Sequence, residues 1–233
     1  MRSIHLQIIT LLLLASSTSY GQSSLDDALR INSYEGQDLA RKSLPKAVTN
    51  KAGYTAIIWT DDRNGKTELF MQILNPGLEM TGNNMNLSGG IKIEKEQYDL
   101  TALSDGSFLV AWQGTGSFFD RVYFQIINQE GNTVLSRQTM EPSDGVLELA
   151  LPAVESVSEN TFSVAFYADD SSDPSVKIQL FNSSGSPVSE RVVVDTLPEF
   201  EDFSHVDIAV SDNGQRIFVV TQKDRDFGDP NIG

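Results

Sequence analysis

The sequence predicts an all-β fold, a partial β-propeller built from four-stranded antiparallel blades. Three observations support this prediction. A pattern of 53–54 residues recurs about three and a half times, each repeat divides into short strands separated by turns, and no sustained helical periodicity follows residue 21. In each repeat the second strand is apolar on successive residues, so both of its faces must be covered. A β-sandwich, which would leave one face of each sheet polar, is the alternative architecture.

Each complete repeat is predicted to hold four strands, bounded by turn signals rich in Gly, Asn and Asp. In the first repeat the strands lie near 45–49, 54–60, 68–74 and 80–87. In the second they lie near 98–103, 107–113, 121–127 and 133–139, and in the third near 150–157, 161–168, 175–181 and 187–194. The incomplete fourth repeat has strands near 205–210 and 216–222.

Three landmarks define the repeat. The first is a bulky apolar residue that ends the second strand, at Trp59, Trp112, Phe166 and Val220. The second is a glutamine after the third strand begins, at Gln72, Gln125 and Gln179, and the third is a turn glycine, at Gly77, Gly131 and Gly185. Landmarks that share one spacing indicate a structural repeat. We divide the chain into a signal peptide at 1–21, an N-terminal segment at 22–43 and propeller-like repeats over 44–233, with limits 44–97, 98–149, 150–203 and an incomplete 204–233.

The first 21 residues have the three parts of a secretory signal peptide. Arg2 supplies the positive start, residues 8–15 form a short apolar run, and Ser19-Tyr20-Gly21 fits a cleavage site. No segment is long and apolar enough to span a bilayer, so no membrane span is expected. The mature chain is expected to be secreted or on the cell surface, with the periplasm as a further location. The absence of Cys favours a bacterial host.

The composition narrows the function. The chain has 233 residues, with 17 Lys+Arg against 32 Asp+Glu and no Cys. A formal charge of −15 argues against a nucleic-acid partner, because phosphate backbones attract basic surfaces. A sequence without Cys excludes disulfides, thiol nucleophiles and thiolate metal ligands.

One motif resembles that of a known family. Trp59-Thr-Asp61-Asp-Arg63-Asn-Gly65, followed by Phe70-Met-Gln72 and a turn glycine, resembles the blade repeat of bacterial secreted β-propeller proteins. The second repeat keeps the Trp, aromatic, Gln and Gly but has Gly114 in place of the Asp. The third has Phe166 for the Trp and Lys177 for the aromatic residue. The family is functionally mixed, so the resemblance implies a fold more than an activity.

The motif residues themselves are expected to be structural. Asp61 and Arg63, two positions apart in a loop, are expected to pair with neighbouring blades and fix the turn. Trp59 and Trp112 end apolar strands and are expected to pack between blades.

The residues outside the complete repeats suggest an unfinished ring. Residues 29–32 lie as far before the first repeat as the outer-strand residue Asn86 lies before the second, so they are expected to form an outer strand that closes the ring. Gly233 falls where the spacing places the glutamine of the fourth repeat. Because a closed propeller uses four to eight blades, we expect this chain to be a fragment of a longer protein.

Few residues point to catalysis. His205 is the only histidine after the signal peptide and is expected to be structural, and the sequence contains no Gly-x-Ser-x-Gly elbow or phosphate loop. Paired carboxylates could serve a propeller glycosidase. Enzymatic activity is therefore left open, and the sequence favours a non-catalytic exported or cell-surface module that binds a protein or a glycan. The alternatives are the sensor or scaffold part of a larger secreted enzyme, and a propeller glycosidase.

One metal site is suggested by acidic residues at alternate positions. Asp169, Ser171 and Asp173 resemble the start of a calcium loop, as do Asp224 and Asp226. Hard cations favour such clusters of oxygen ligands. The sixth and twelfth positions depart from an EF-hand loop. Turn chemistry, in which Asp and Ser side chains bond the local backbone, is the other explanation.

Overall fold

The computed structural model describes residue 31 and residues 40–115, 119–142, 146–170, 174–197 and 201–225. The predicted signal peptide lies outside this part of the chain, as does the predicted closing strand 29–32 apart from Ile31. Within the described ranges the regular elements are all β-strands. In the same ranges we find no helix of the length and hydrophobicity that crossing a bilayer requires.

Fourteen strands follow one another along the described chain. They are β1 (Lys42–Thr49), β2 (Thr55–Asp61), β3 (Glu68–Leu74), β4 (Met80–Asn86), β5 (Ile93–Ala102), β6 (Phe108–Thr115), β7 (Asp120–Ile127), β8 (Thr133–Thr139), β9 (Val146–Ser158), β10 (Thr161–Asp170), β11 (Ser175–Asn182), β12 (Val192–Thr196), β13 (Glu201–Val210) and β14 (Ile217–Arg225). Every predicted strand has a counterpart, and most limits agree within three residues.

The strands form three four-stranded antiparallel sheets and one two-stranded sheet, in which each strand pairs with the next along the chain. We call them blade 1 (β1–β4), blade 2 (β5–β8), blade 3 (β9–β12) and blade 4 (β13–β14). The first strands of consecutive blades lie against each other, so the blades pack face to face with these strands innermost. The described chain is therefore a partial β-propeller, as the repeat predicts.

Apolar clusters fill the spaces between consecutive blades. Blades 1 and 2 share a cluster containing Ile58, Met71 and Trp112. Blades 2 and 3 share one containing Leu109, Phe124 and Phe162, and blades 3 and 4 share one containing Ala165, Val206 and Ile208. The second strands are buried on both faces, since β6 is fully buried from Phe108 to Gln113. Trp112, 0% exposed, packs between blades 1 and 2 as predicted. Trp59, 3% exposed, is also buried, but it packs with Ile31 and Phe70 on the face of blade 1 that points away from blade 2.

Ile31 packs against the face of blade 1 that points away from blade 2. It packs with a group that includes Trp59 and Phe70, and its carbonyl oxygen accepts a hydrogen bond from Asn84 Nδ2 at 3.1 Å. On blade 2 the corresponding face packs against Met85 of the outer strand of blade 1. Ile31 thus holds, on blade 1, the place that an outer-strand side chain of a preceding blade would hold.

The strand pairing corrects one landmark of the repeat. Trp112 lies opposite Tyr98, and the same inner-strand position in blade 4 is Val206, which lies opposite Thr221. Thr221, and not Val220, is therefore the counterpart of Trp112 and Phe166. The cause is one extra residue in the turn before β14. In blade 2 the corresponding turn is closed by a hydrogen bond from Leu103 N–H to the carbonyl oxygen of Ser107, four residues later. In blade 4 it is closed by a hydrogen bond from Ser211 N–H to the carbonyl oxygen of Arg216, five residues later.

A second landmark also moves by one residue. The turn after the third strand closes with the bond from Gly131 N–H to Asn128 O in blade 2 and from Leu78 N–H to Asn75 O in blade 1. Leu78, and not Gly77, is thus the counterpart of Gly131. Leu78 adopts a φ of 64°, the left-handed region that Gly131 adopts at 85°.

The repeated glutamines fill irregularities between the third and outer strands. Gln72 is fully buried beside such an irregularity, and its Nε2 donates to the carbonyl oxygens of Ile73 and Thr81 at 3.0 and 3.1 Å. Gln179 plays the same part in blade 3, where its Nε2 donates to Ser189 O at 3.1 Å. There the predicted outer strand 187–194 begins too early. Pro187 makes only an isolated bridge with Phe181, and β12 begins at Val192, because the Ser189 hydroxyl accepts the N–H of Leu180 at 3.0 Å.

Candidate functional site

The upper rim of the propeller is the edge at which each blade's first strand begins and its second strand ends. The turn that joins β2 to β3 lies on this rim. Several acidic residues predicted to lie in loops belong to strands instead. Asp61 ends β2, Asp169 and Asp170 end β10, and Asp224 lies within β14, because antiparallel pairing continues to these positions.

In blade 1 the side chains of the repeat motif contact one another. Asp61 Oδ2 accepts a hydrogen bond from Arg63 Nη2 at 2.5 Å, and Asp61 Oδ1 accepts one from the Arg63 backbone N–H at 2.9 Å. Trp59 Nε1 lies 3.4 Å from Asp61 Oδ2, and the Arg63 guanidinium lies 4.2 Å from the centroid of the Phe70 ring. The pair fixes its own turn, and the hydrogen bonds that Asp61 accepts among the described residues come from Trp59 and Arg63 of its own blade.

The electrostatics of Asp61 follow from these bonds. Burial alone would raise the pKa of this carboxyl. The two hydrogen bonds from Arg63, together with the charges of Arg63 and Lys42, outweigh burial and hold the pKa below its ordinary value of 3.8. Asp61 is therefore a charged group of the folded state at neutral pH, and its role is structural.

A buried glutamine joins blades 2 and 3 at the upper rim. Gln113, near the end of β6, is 0% exposed, and its Nε2 donates to Asp120 Oδ2 at 2.8 Å and to Glu148 Oε1 at 3.3 Å. Its Oε1 accepts the backbone N–H of Leu151 at 3.3 Å. Asp120 begins β7 and Glu148 lies near the start of β9, so one amide holds carboxylates of two consecutive blades. We call Gln113, Asp120 and Glu148 the rim cluster.

The rim cluster presents acceptor oxygens on a rigid support. Asp120 and Glu148 are half-buried, whereas the amide that holds them is fully buried and bonded through both of its polar atoms. A carboxylate is a hydrogen-bond acceptor through both of its oxygens. Such a pair can accept hydrogen bonds from hydroxyl groups, and two neighbouring carboxylates are also the residue types of glycoside hydrolysis.

The calcium candidates do not come together as one described group. Ser171, Asp173 and Asp226 lie outside the described residues. Asp169 lies opposite Glu148 in the pairing of β10 with β9, and Asp224 is in blade 4, where Gln222 Nε2 donates to Asp224 Oδ1 at 3.1 Å. That hydrogen bond lowers the pKa of Asp224. Among the described residues no three His, Asp or Glu side chains form a cluster that could hold a metal, and calcium binding stays a prediction.

His205 lies on β13 with its side chain exposed, on the face of blade 4 that points away from blade 3. Asp207 shares that face and accepts the backbone N–H of Ile208 at 2.8 Å. Neither residue is near the rim cluster, which is built from blades 2 and 3.

The rim cluster was not predicted from the sequence, although one signal for it exists. Successive strand residues point to opposite faces, so a polar residue directly after the core residue Trp112 must point toward the next blade. Gln113 is that residue. Its carboxylate partners could not be found in the same way, because Glu148 comes from a different repeat and meets Gln113 only through blade packing.

The comparisons with known proteins identify a fold and no family. No protein-family model matches the sequence, and no curated protein matches it. Among solved structures, the chain is similar to a protein of unknown function from Dyadobacter fermentans DSM 18053, with a TM-score of 0.55, 14% identity, and coverage of 79% of this chain and 63% of that one.

A second similar structure is the α-L-arabinanase of Penicillium chrysogenum complexed with arabinobiose. The TM-score is 0.56 at 13% identity, over 78% of this chain and 57% of that chain. The chain thus spans 63% and 57% of the lengths of the two structures. Likeness at these identities concerns the fold, which is that of a β-propeller.

Proposed function

We propose that this chain is an exported, non-catalytic β-propeller module that binds a glycan at the upper rim. The observation that carries the proposal is the rim cluster, in which a buried amide orients two carboxylates from different blades toward the rim. Carboxylate oxygens held in fixed positions are suited to the hydroxyl groups of a neutral sugar, because orientation before binding reduces the entropy lost on binding.

Two further observations support a glycan over a protein ligand. The cluster presents two acceptor groups at the rim, and a sugar chain carries many hydroxyl donors. The similar Penicillium structure holds arabinobiose, so short arabinose oligomers are a reasonable first probe. The signal peptide at 1–21 would deliver the module to the outside of the cell, where such polymers occur.

Titration calorimetry with arabino-oligosaccharides and with a panel of other neutral oligosaccharides tests the proposal. Asp120→Asn and Glu148→Gln are each expected to weaken binding about tenfold or more, because an uncharged amide replaces a strong acceptor. Glu159→Gln, in the turn at the opposite rim, is the matched control and should bind as the unchanged chain does. If no oligosaccharide binds, or if Glu159→Gln weakens binding equally, the rim cluster is not a glycan site.

A propeller glycosidase is the second candidate, and the paired carboxylates are the observation that favours it. Incubation of the chain with chromogenic glycosides and arabinan distinguishes the two functions. Turnover that Asp120→Asn or Glu148→Gln abolishes would establish catalysis at the rim cluster. Binding without turnover would assign the chain to the non-catalytic class, including the sensor or scaffold part of a larger secreted enzyme.

A further inference from the structure

Positive side chains gather at one place on the upper rim of this acidic chain. The connection 87–92 leads from β4 to β5 and crosses the rim between blades 1 and 2. Lys66, in the turn before β3, donates from Nζ to Gly90 O at 2.5 Å. Arg137 of β8 donates from Nη1 to Ser88 O at 2.8 Å. Two cations from different blades thus hold the same short connection.

Two further cations extend this region to the rim cluster. Lys92 ends the connection and is exposed, and its carbonyl oxygen accepts the N–H of Thr115 at 3.0 Å. Thr115 lies opposite Asp120 in the pairing of β6 with β7, and Arg121 follows Asp120 directly. Because successive strand residues point to opposite faces, Arg121 points toward blade 1 and Asp120 toward blade 3. We call the four cations the basic patch: Lys66, Lys92, Arg121 and Arg137.

The charges of Lys66 and Arg137 are not neutralised within the described part of the chain. The hydrogen-bond acceptors of both are backbone carbonyl oxygens, and no described carboxylate forms an ion pair with either side chain. Both side chains are exposed, and the Arg137 guanidinium lies 6.0 Å from the centroid of the Tyr123 ring. A carbonyl oxygen is a neutral acceptor, and an ammonium or a guanidinium has several N–H donors, so both cations can bind an anion.

The corresponding place in blade 1 carries the opposite charge. There Asp61 and Glu68 lie opposite each other in the pairing of β2 with β3, and both are buried. Their counterparts in blade 2 are Gly114 and Arg121, so two acids are replaced by a glycine and a cation. Blade 3 has two uncharged residues at these positions. The blade fold therefore requires no charge of either sign here, and the positive charge of blade 2 needs another explanation.

The backbone between the cations is open to a ligand. Gly89 and Gly90 are exposed and adopt φ values of 54° and 92°, in the left-handed region that glycine tolerates. Since neither residue has a side chain, the peptide units between Lys66 and Arg137 can be approached closely from the rim. A small planar anion such as a carboxylate fits this combination of two cations and a bare backbone.

We propose that the basic patch binds a carboxylate of the same glycan whose hydroxyl groups the rim cluster binds, so that the ligand is an oligosaccharide containing uronic acid. This inference rests on the proposed glycan function and adds the class of sugar. Lys and Arg bind carboxylates through charge-assisted hydrogen bonds. Asp120 of the rim cluster and Arg121 of the basic patch are consecutive in β7, so consecutive sugar units can reach both sites.

The surrounding charge favours a ligand with few anionic groups. The chain has a formal charge of −15, and the carboxylates of Asp120 and Glu148 lie beside the basic patch. A nucleic acid or a polyphosphate is charged at every unit and would be repelled by these carboxylates. An oligosaccharide that carries a carboxylate among neutral hydroxyl groups meets the cations and the acceptor oxygens together.

Titration calorimetry with each oligosaccharide in two forms tests the inference. The probes are oligomers of glucuronoxylan, pectin and alginate, each in its native form and after reduction of its carboxyl groups to primary alcohols. The native form of the oligomer that binds is expected to bind about tenfold more tightly than its reduced form, and the difference should shrink between about 0.1 M and 1 M salt. Equal affinities of the two forms would overturn this inference and leave the glycan proposal standing. No binding of any form would overturn both.

Substitutions separate the basic patch from the rim cluster. Lys66→Gln and Arg137→Gln are each expected to weaken binding of the native form about three- to tenfold and to leave the reduced form unchanged. Lys51→Gln, in an exposed turn of the opposite rim, is the matched control, and Asp120→Asn should weaken the reduced form. Because Lys66 and Arg137 also hold the connection, Lys92→Gln and the melting temperature of each variant are measured as well. Equal weakening of both forms by the Lys66 and Arg137 variants would show that these side chains only hold the connection, and would overturn the inference.

Discussion

At the residue scale, the two tryptophans of the repeat show how a motif can change without loss of the fold. Trp59 Nε1 has Asp61 as its acceptor, whereas Trp112 Nε1 is buried with no hydrogen-bond partner among the described residues. Gly114 stands where Asp61 stands in blade 1. A Cβ on Gly114 would lie 2.6 Å from Ile91 Cγ2, so packing against the blade connection excludes the acid here.

Replacing each tryptophan by phenylalanine should therefore have unequal effects. Both changes remove similar apolar volume, but Trp112→Phe also removes a buried N–H without an acceptor. We expect it to lower the free energy of unfolding by about 1–2 kcal/mol less than Trp59→Phe, which removes the indole donor to Asp61. Urea unfolding of the two variants measures the difference, and equal losses would mean that the indole N–H of Trp112 is hydrated.

The carboxylate of Asp61 predicts a dependence of stability on pH. Its pKa is lower in the folded chain than the ordinary 3.8, so the folded state binds fewer protons and the stabilisation is present above that value. As pH falls from about 4 through the folded pKa, the stabilisation is lost. Asp61→Asn should lower the free energy of unfolding by about 1–3 kcal/mol at pH 7 and flatten its decline below pH 4. Asp62→Asn is the adjacent control, and unchanged acid sensitivity in Asp61→Asn would contradict the assignment.

Leu78 offers a stabilising substitution. A leucine at a φ of 64° is strained by about 1–2 kcal/mol, and this side chain is 44% exposed, so little packing is lost on its removal. Leu78→Gly should raise the free energy of unfolding by about 0.5–1 kcal/mol. Gly131→Ala, at the matching turn of blade 2, should have the opposite sign, and chemical denaturation of the pair checks both. The sequence pointed to Gly77 because glycine is the usual residue in this conformation, and backbone pairing alone revealed the shift.

At the element scale, an arginine at or next to the outer strand joins blades 2 and 3 to the preceding blade, and Asn84 of β4 joins blade 1 to Ile31. Arg137 Nη1 donates to Ser88 O at 2.8 Å, Arg191 Nη2 donates to Glu141 O, and Asn84 donates to Ile31 O. The strands themselves were predictable, because turn residues and apolar runs are local signals. The start of β12 was not, because a serine side chain replaced a backbone acceptor at that point.

Arg191 should be the most sensitive of these fasteners. Its Nε donates to Gln179 Oε1 at 3.1 Å, and its guanidinium lies 5.4 Å from the centroid of the Phe166 ring. Arg191→Ala is expected to lower the free energy of unfolding by about 2–3 kcal/mol, and Arg191→Lys to restore less than half, because an ammonium group cannot reach all three partners. Lys51→Ala, at an exposed turn, is the control. Full rescue by lysine would reduce the role of Arg191 to its charge.

At the scale of the whole molecule, the repeat made the blade architecture predictable, whereas the rim cluster depends on contacts between repeats. Gln113, Asp120 and Glu148 stand at non-equivalent positions of two blades, so no single repeat contains their pattern. The acidic loops that did stand out, such as the one beginning at Asp169, are local in sequence, and the pairing of β10 with β9 incorporates part of that loop into a strand.

Calcium binding at the upper rim stays open to a direct test. If Asp169, Ser171 and Asp173, or Asp224 and Asp226, bind the ion, titration with millimolar calcium should release or absorb heat and raise the melting temperature. Asp169→Asn and Asp224→Asn would then each reduce the effect, and Asp212→Asn in the turn before β14 would not. No heat and no thermal shift would leave these residues as turn formers.

Because the blades pack on one another in series, local unfolding should start at one end of the series. Each blade gains its covered faces from the blade before and the blade after, so free energy is transmitted between neighbours, as along a stack of coupled units. Local opening should then begin at β13–β14, whose described sheet has two strands and one neighbouring blade. Amide hydrogens of β6 should exchange with solvent far more slowly than those of β14, and a core defect in blade 2 should loosen blades 1 and 3 more than blade 4.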